Sequence, residues 1–212
     1  MANYVITIAL GFGSGGKDIA VHVAERLGIP CYEKEILEMA SQQSGIGEDL
    51  FNARDEKLGR GYFANRILNS VPHDYAVEAS DRRFTHDNNL FAIQSGIIRE
   101  LAASFSCVIV GKCADSVLGI EVPCLRVFIN APMEACVRSI MNRMSVSPLE
   151  AERLILKTNR YRSDYYRYYT QGKDWYDPLN YDLCLNTGMI PRDRCAELIV
   201  EALHRKYDPV DS

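Results

Sequence analysis

The first apolar run, Val5-Ile6-Thr7-Ile8-Ala9-Leu10, is rich in β-branched residues and passes directly into Gly11-Phe12-Gly13-Ser14-Gly15-Gly16. Apolar residues then recur at Ile19, Ala20, Val23, Ala24 and Leu27, and Gly28 follows, which is helical spacing with a glycine stop. The pattern predicts strand, glycine loop, helix. Further along, Ile29-Pro30-Cys31-Tyr32 predicts a short second strand, and residues 33–44 a helix with Ile36, Leu37, Met39 and Ala40 on its apolar face. Residues 48–58 and, more weakly, 60–71 carry helical patterns, and a polar, irregular stretch at 72–83 suits a loop over a binding site.

The second half repeats the alternation. Thr85 is placed to cap a long helix reaching Ser104, with Leu90, Phe91, Ile93, Ile97, Ile98, Leu101 and Ala102 toward a core. Cys107-Val108-Ile109-Val110 predicts a buried strand, 113–118 a short helix, and 124–129 a fourth strand. Pro132 suits the first turn of a helix ending near Met144, and Ser147-Pro148-Leu149-Glu150 opens another that runs to Tyr169. Residues 182–186 predict the last strand and 191–204 the closing helix. Strands alternating with helices predict a three-layer α/β domain: a mostly parallel five-stranded sheet with helices on both faces. Ligands in such folds sit beyond the carboxyl ends of the strands, which collects the loops after Leu10, Cys31, Val110, Ile129 and Leu185 on one rim.

Composition narrows the class. The chain has 212 residues, 47% of them hydrophobic, enough for one sizeable domain. A formal net charge of −4 argues against general binding of a nucleic-acid polymer. Seven cysteines without a C-x-x-C pair read as small buried hydrophobes in a reducing cytoplasm, and with the four histidines scattered no zinc site is expected; Cys113, just past a strand end, reads as structural too. No apolar run approaches the ~20 residues of a membrane span, and Met1-Ala2-Asn3-Tyr4 lacks the features of a signal peptide. The expectation is a cytoplasmic protein without membrane contact.

Gly11, Gly16 and Lys17 fit the G-x-x-x-x-G-K part of a phosphate-binding loop, where glycines let backbone N–H groups converge on an anion and a helix N-terminus adds its dipole. Gly13, Ser14 and Gly15 complete the loop. The motif usually continues with Ser or Thr for Mg²⁺; Asp18 stands there instead, so a metal would be held through Asp18, through water or from elsewhere. A second cluster spans Arg153 to Tyr181, where Lys157, Arg160, Arg162, Arg167 and Lys173 alternate with tyrosines and Trp175. Such a helix can close over a phosphorylated ligand and clamp its oxygens. The alternative is a solvated helix whose tyrosines pack at a subunit contact, as in a homodimer.

These stretches together resemble the nucleoside monophosphate kinases, and more closely the cytidylate kinase-like family, through Gly13-Ser14-Gly15-Gly16, Gly111-Lys112-Cys113-Ala114-Asp115, Asn159-Arg160-Tyr161-Arg162-Ser163-Asp164-Tyr165-Tyr166 and Tyr181-Asp182-Leu183-Cys184-Leu185-Asn186-Thr187. The resemblance implies a single P-loop kinase domain with its core at about residues 1–30, 107–145 and 181–212. A helical acceptor insert would occupy about 31–106 and a lid about 146–180. It implies ATP and Mg²⁺ as cofactors. Lys17 and the loop amides would hold the donor phosphates, and Arg162, assisted by Arg160, would reach the transferring group. Lys112, with Asp115, Arg99 and Asn159, would serve the acceptor, and Asp18 or Asp115 the metal. The chain departs from true cytidylate kinases at Lys112 and Cys136, where those carry Arg, at Ile155 and Asn159 in the lid pattern, and at Val110, where an aspartate is usual.

The expected function is phosphoryl transfer from ATP to a small acceptor, first a nucleoside monophosphate such as CMP. A kinase for another small metabolite and a nucleotide-binding sensor without turnover are the alternatives.

Overall fold

The computed structural model describes residues 3–44, 87–120 and 122–207. Among these residues the chain runs β1 (Val5–Leu10), α1 (Gly16–Leu27), β2 (Cys31–Tyr32), α2 (Glu35–Ser44), α3 (Asp87–Ser104), β3 (Cys107–Val110), α4 (Ala114–Val117), β4 (Cys124–Asn130), α5 (Met133–Met144), α6 (Pro148–Tyr169), a 3₁₀ turn (Pro178–Asn180), β5 (Leu183–Asn186) and α7 (Arg192–Tyr207). The helices expected over 48–58 and 60–71, the loop at 72–83 and the Thr85 cap lie outside the described residues.

The strands form one sheet in the order β2-β3-β1-β4-β5, every neighbouring pair parallel. β1 is central because its six residues are buried on both faces, as a strand covered by helices on each side requires. Its alternation divides the core. Ile6, Ile8 and Leu10 pack with Ile19 and Val23 of α1 and Cys195 and Ile199 of α7. Val5 faces the opposite layer, where Ile36 and Leu37 of α2 meet Ile97, Ile98 and Leu101 of α3. The register Ile8↔Val110 and Leu10↔Ile129 brings the carboxyl ends of β1, β3 and β4 to one rim.

Helix boundaries follow local chemistry. Gly28 ends α1 with φ 63°, and its N–H returns to the last turn. Ser147 Oγ accepts from the Glu150 amide at 3.3 Å with Pro148 at the first helical position. The second strand is shorter than its apolar run because Pro30 has no N–H to donate; only its carbonyl joins the ladder, accepting from Val108 N at 2.9 Å.

Candidate active site

The loop after β1 is held open by backbone that side chains rarely adopt. Gly13 and Gly15 have φ 88° and 80°. A Cβ on Gly13 would come within 2.9 Å of the Cys136 carbonyl, and one on Gly15 would strike the Arg192 guanidinium. Neighbouring elements brace the curl. The Phe12 amide donates to Asn159 Oδ1 at 2.8 Å, Arg162 Nη1 to the Leu10 carbonyl at 2.8 Å, and Thr187 Oγ1 to the Ser14 carbonyl at 2.7 Å. The Arg143 and Arg162 guanidinium carbons lie 5.3 and 5.8 Å from the Phe12 ring centre, within cation–π range.

Two cavities meet here. The first is floored by Gly13, Gly15, Gly16, Lys17 and Asp18 and walled by Arg143, Arg162 and Arg192. Its cations and the start of α1 suit a polyphosphate. The second, between β1, β3 and α6, is lined by Glu33, Lys112, Asp115, Arg162, Tyr165 and Trp175, among others. Leu10 and Arg162 border both.

Lys17 forms an ion pair with Glu33, each side chain about a third exposed. Arg192 Nη1 contacts Asp18 Oδ2 at 2.6 Å. In the second cavity Gly111, Lys112 and Cys113 turn through φ 71°, 60° and 53°, and Lys112 is buried at 6% exposure. In Lys112 and Cys113 the left-handed conformation costs roughly 1–3 kcal/mol, a strain that gathers at functional sites. Asp115 is buried and accepts from the Tyr166 hydroxyl at 2.7 Å. Burial pushes its carboxyl above the usual carboxylate range, a shift partly offset by the Tyr166 hydrogen bond.

The structure thus gathers Gly11 to Asp18, Arg162, Lys112 and Asp115 around one rim, while other expected residues sit elsewhere. Arg160 borders a third depression beside Asn159, its side chain 86% exposed and 3.9 Å from Asp164. Arg99 is exposed and lines neither of the two rim cavities. Asn159 braces the glycine loop rather than lining the second cavity. The two carboxylates considered for a metal belong to different cavities, Asp18 to the first and Asp115 to the second. Among the described residues no cluster of three or more His, Cys, Asp or Glu forms a metal cage. That donor set still fits Mg²⁺, which is commonly held by one or two carboxylates together with substrate phosphates and water.

Glu33, Arg143, Thr187 and Arg192 were not singled out from the sequence. Glu33 carried one signal, its position directly after a strand on the ligand rim. Arg192 carried another: a cation opens α7, where the helix dipole favours an acid.

A parallel sheet of order 2-3-1-4-5 with a glycine loop between the central strand and its helix defines a P-loop kinase fold. The chain belongs to the cytidylate kinase-like family, whose model matches residues 5–189. No curated protein sequence matches it significantly. Solved structures share the fold. An uncharacterized protein from Eubacterium ventriosum is 24% identical over 95% of this chain and 98% of its own, with a TM-score of 0.70. Shikimate kinase from Acinetobacter baumannii, solved with shikimate, is 12% identical over 98% and 96%, with a TM-score of 0.53. A gluconokinase from Sinorhizobium meliloti is 13% identical over 95% and 92%, with a TM-score of 0.51. No helix among the described residues is long and apolar enough to cross a membrane.

Proposed function

We propose that the protein transfers the γ-phosphoryl group of ATP to a small molecule held in the second cavity. The observation that carries this reading is the junction of the two cavities at Leu10 and Arg162. A donor seated on the Gly13 to Lys17 loop would point its terminal phosphate at that junction, and an acceptor beside Lys112 would approach it from the other side. Phosphoryl transfer asks for positioned cations and exclusion of water more than for covalent chemistry. Lys17 and the loop amides bind the donor, Arg162 reaches the transferring group, and Lys112 orients the acceptor. Mg²⁺ carried in by the donor would neutralise phosphate charge, with Asp18 as the carboxylate nearest the loop. In this reading residues 146–180 act as the lid and 31–106 as the acceptor region.

Family membership makes a nucleoside monophosphate such as CMP the first acceptor to test, and the proteins named shikimate kinase and gluconokinase add hydroxylated acids. Calorimetry with ATP and Mg²⁺, followed by coupled measurement of ADP release with each acceptor class, tests the reading. Heat of ATP binding and acceptor-dependent ADP release are expected. Absence of ATP binding would remove the donor site, and ATP binding without ADP release from any acceptor would leave a nucleotide sensor.

A further inference from the structure

The second cavity is lined, beside the donor-loop lysine, by a carboxylate that phosphate-to-phosphate transfer does not need. Glu33 directly follows β2, pairs with Lys17 of the donor loop and lines the acceptor cavity. An acceptor phosphate already carries a negative, deprotonated oxygen, so a carboxylate beside it repels it and contributes nothing to its attack. A hydroxyl acceptor reverses both statements: it brings no charge at the attacking atom and must lose a proton as the new bond forms.

We propose that Glu33 is the general base of the transfer and that the acceptor is a hydroxyl group of a small hydroxy acid. This assignment rests on the donor reading above. The hydroxyl oxygen attacks the γ-phosphorus and forms the new O–P bond. The bond from that phosphorus to the β,γ-bridging oxygen breaks, its electron pair leaving on ADP, and the hydroxyl proton passes to a Glu33 carboxylate oxygen. Lys17 holds Glu33 against the donor loop, which keeps the base beside the γ-phosphate. Lys112, buried in the left-handed turn after β3, supplies the positive charge that fixes the acceptor's own carboxylate. Asp115, the other carboxylate of that cavity among the described residues, is already bound by the Tyr166 hydroxyl and held toward its protonated form by burial. Tyr165 and Trp175, among the other lining residues, offer rings against which a small carbon skeleton packs.

The test compares the full chain with Glu33→Gln and Glu33→Asp in ADP release from ATP and Mg²⁺. D-glycerate, D-galactonate and quinate serve as hydroxyl probes, CMP and AMP as phosphate probes, and water alone as the baseline; ATP affinity is measured for every variant. At least one hydroxy acid is expected to raise ADP release above the baseline. Glu33→Gln should lower that rate about 100-fold or more while ATP affinity stays within about threefold. Glu33→Asp should restore part of the rate lost in Glu33→Gln. Stimulation by CMP or AMP without stimulation by any hydroxy acid overturns the proposal, as does ATP binding with no stimulation by either class. Full turnover in Glu33→Gln overturns it equally. Loss of ATP binding by the wild-type chain is a different result: it fails the donor reading itself.

Discussion

The Arg192 guanidinium reaches back from the first turn of α7 to Asp18 at 2.6 Å and covers Gly15, the residue that caps α1. Asp18 replaces the hydroxyl residue usual after the loop lysine, and its negative charge would oppose bound phosphate. Arg192 balances it and places a bidentate cation over the loop. Arg192→Ala is therefore expected to weaken ATP binding about tenfold, the equivalent of one charge-assisted hydrogen bond. Calorimetry measures this, and unchanged affinity would reduce the contact to a surface ion pair.

Lys17→Ala should abolish turnover and weaken triphosphate binding, because Lys17 is the ammonium within the phosphate loop and also positions Glu33. Near-normal ADP release from this variant would take the loop out of the mechanism.

Gly15→Ala places a Cβ where φ is 80° and where the Arg192 guanidinium already lies. The left-handed backbone alone costs about 1–2 kcal/mol, which in a chain of this size lowers Tm by about 2–4 °C per kcal/mol. Thermal melts with and without ATP are expected to show lower stability and a smaller ligand-induced rise; a variant with wild-type values in both would mean that the curl tolerates a side chain.

Arg162 contacts the Leu10 carbonyl and borders both cavities. Arg162→Lys keeps the charge and loses the planar fork, so kcat should fall about 100-fold or more while KM for ATP changes little. A change confined to KM would instead place Arg162 in ground-state binding.

Asp115 gives a pH-dependent signature. Burial raises its native carboxyl pKa above that of the unfolded chain, so the native state holds a proton where the unfolded state has lost it. The stability associated with that proton is complete below the unfolded pKa and is lost as pH rises through the native one. Asp115→Asn keeps an acceptor for Tyr166 and removes the ionisation. Its Tm relative to the wild type should shift in its favour between acid and neutral pH. A difference that stays flat with pH contradicts the assignment.

The layers were legible because burial and periodicity coincide: Val5 to Leu10 and Cys107 to Val110 are apolar runs that became strands buried throughout. The glycine loop was legible as a local motif. What escaped were partners distant in sequence, since nothing near residue 18 announces that Arg192, 174 positions later, will meet it. The lid shows a subtler limit. Arg160 and Arg162 stand two positions apart on α6, where about 100° per residue makes them diverge by about 200°, and only Arg162 turns toward β1. The family resemblance carried the acceptor assignments of Arg99 and Asn159, which local pattern could not test against a third dimension.

The bond from the Phe12 amide to Asn159 joins the glycine loop to the long helix α6. That single peptide hydrogen is shielded only while the two segments stay together, so its exchange with deuterated solvent becomes a clock for their separation. Followed residue by residue in an NMR spectrum, it would time the opening of the protein without any ligand or substitution.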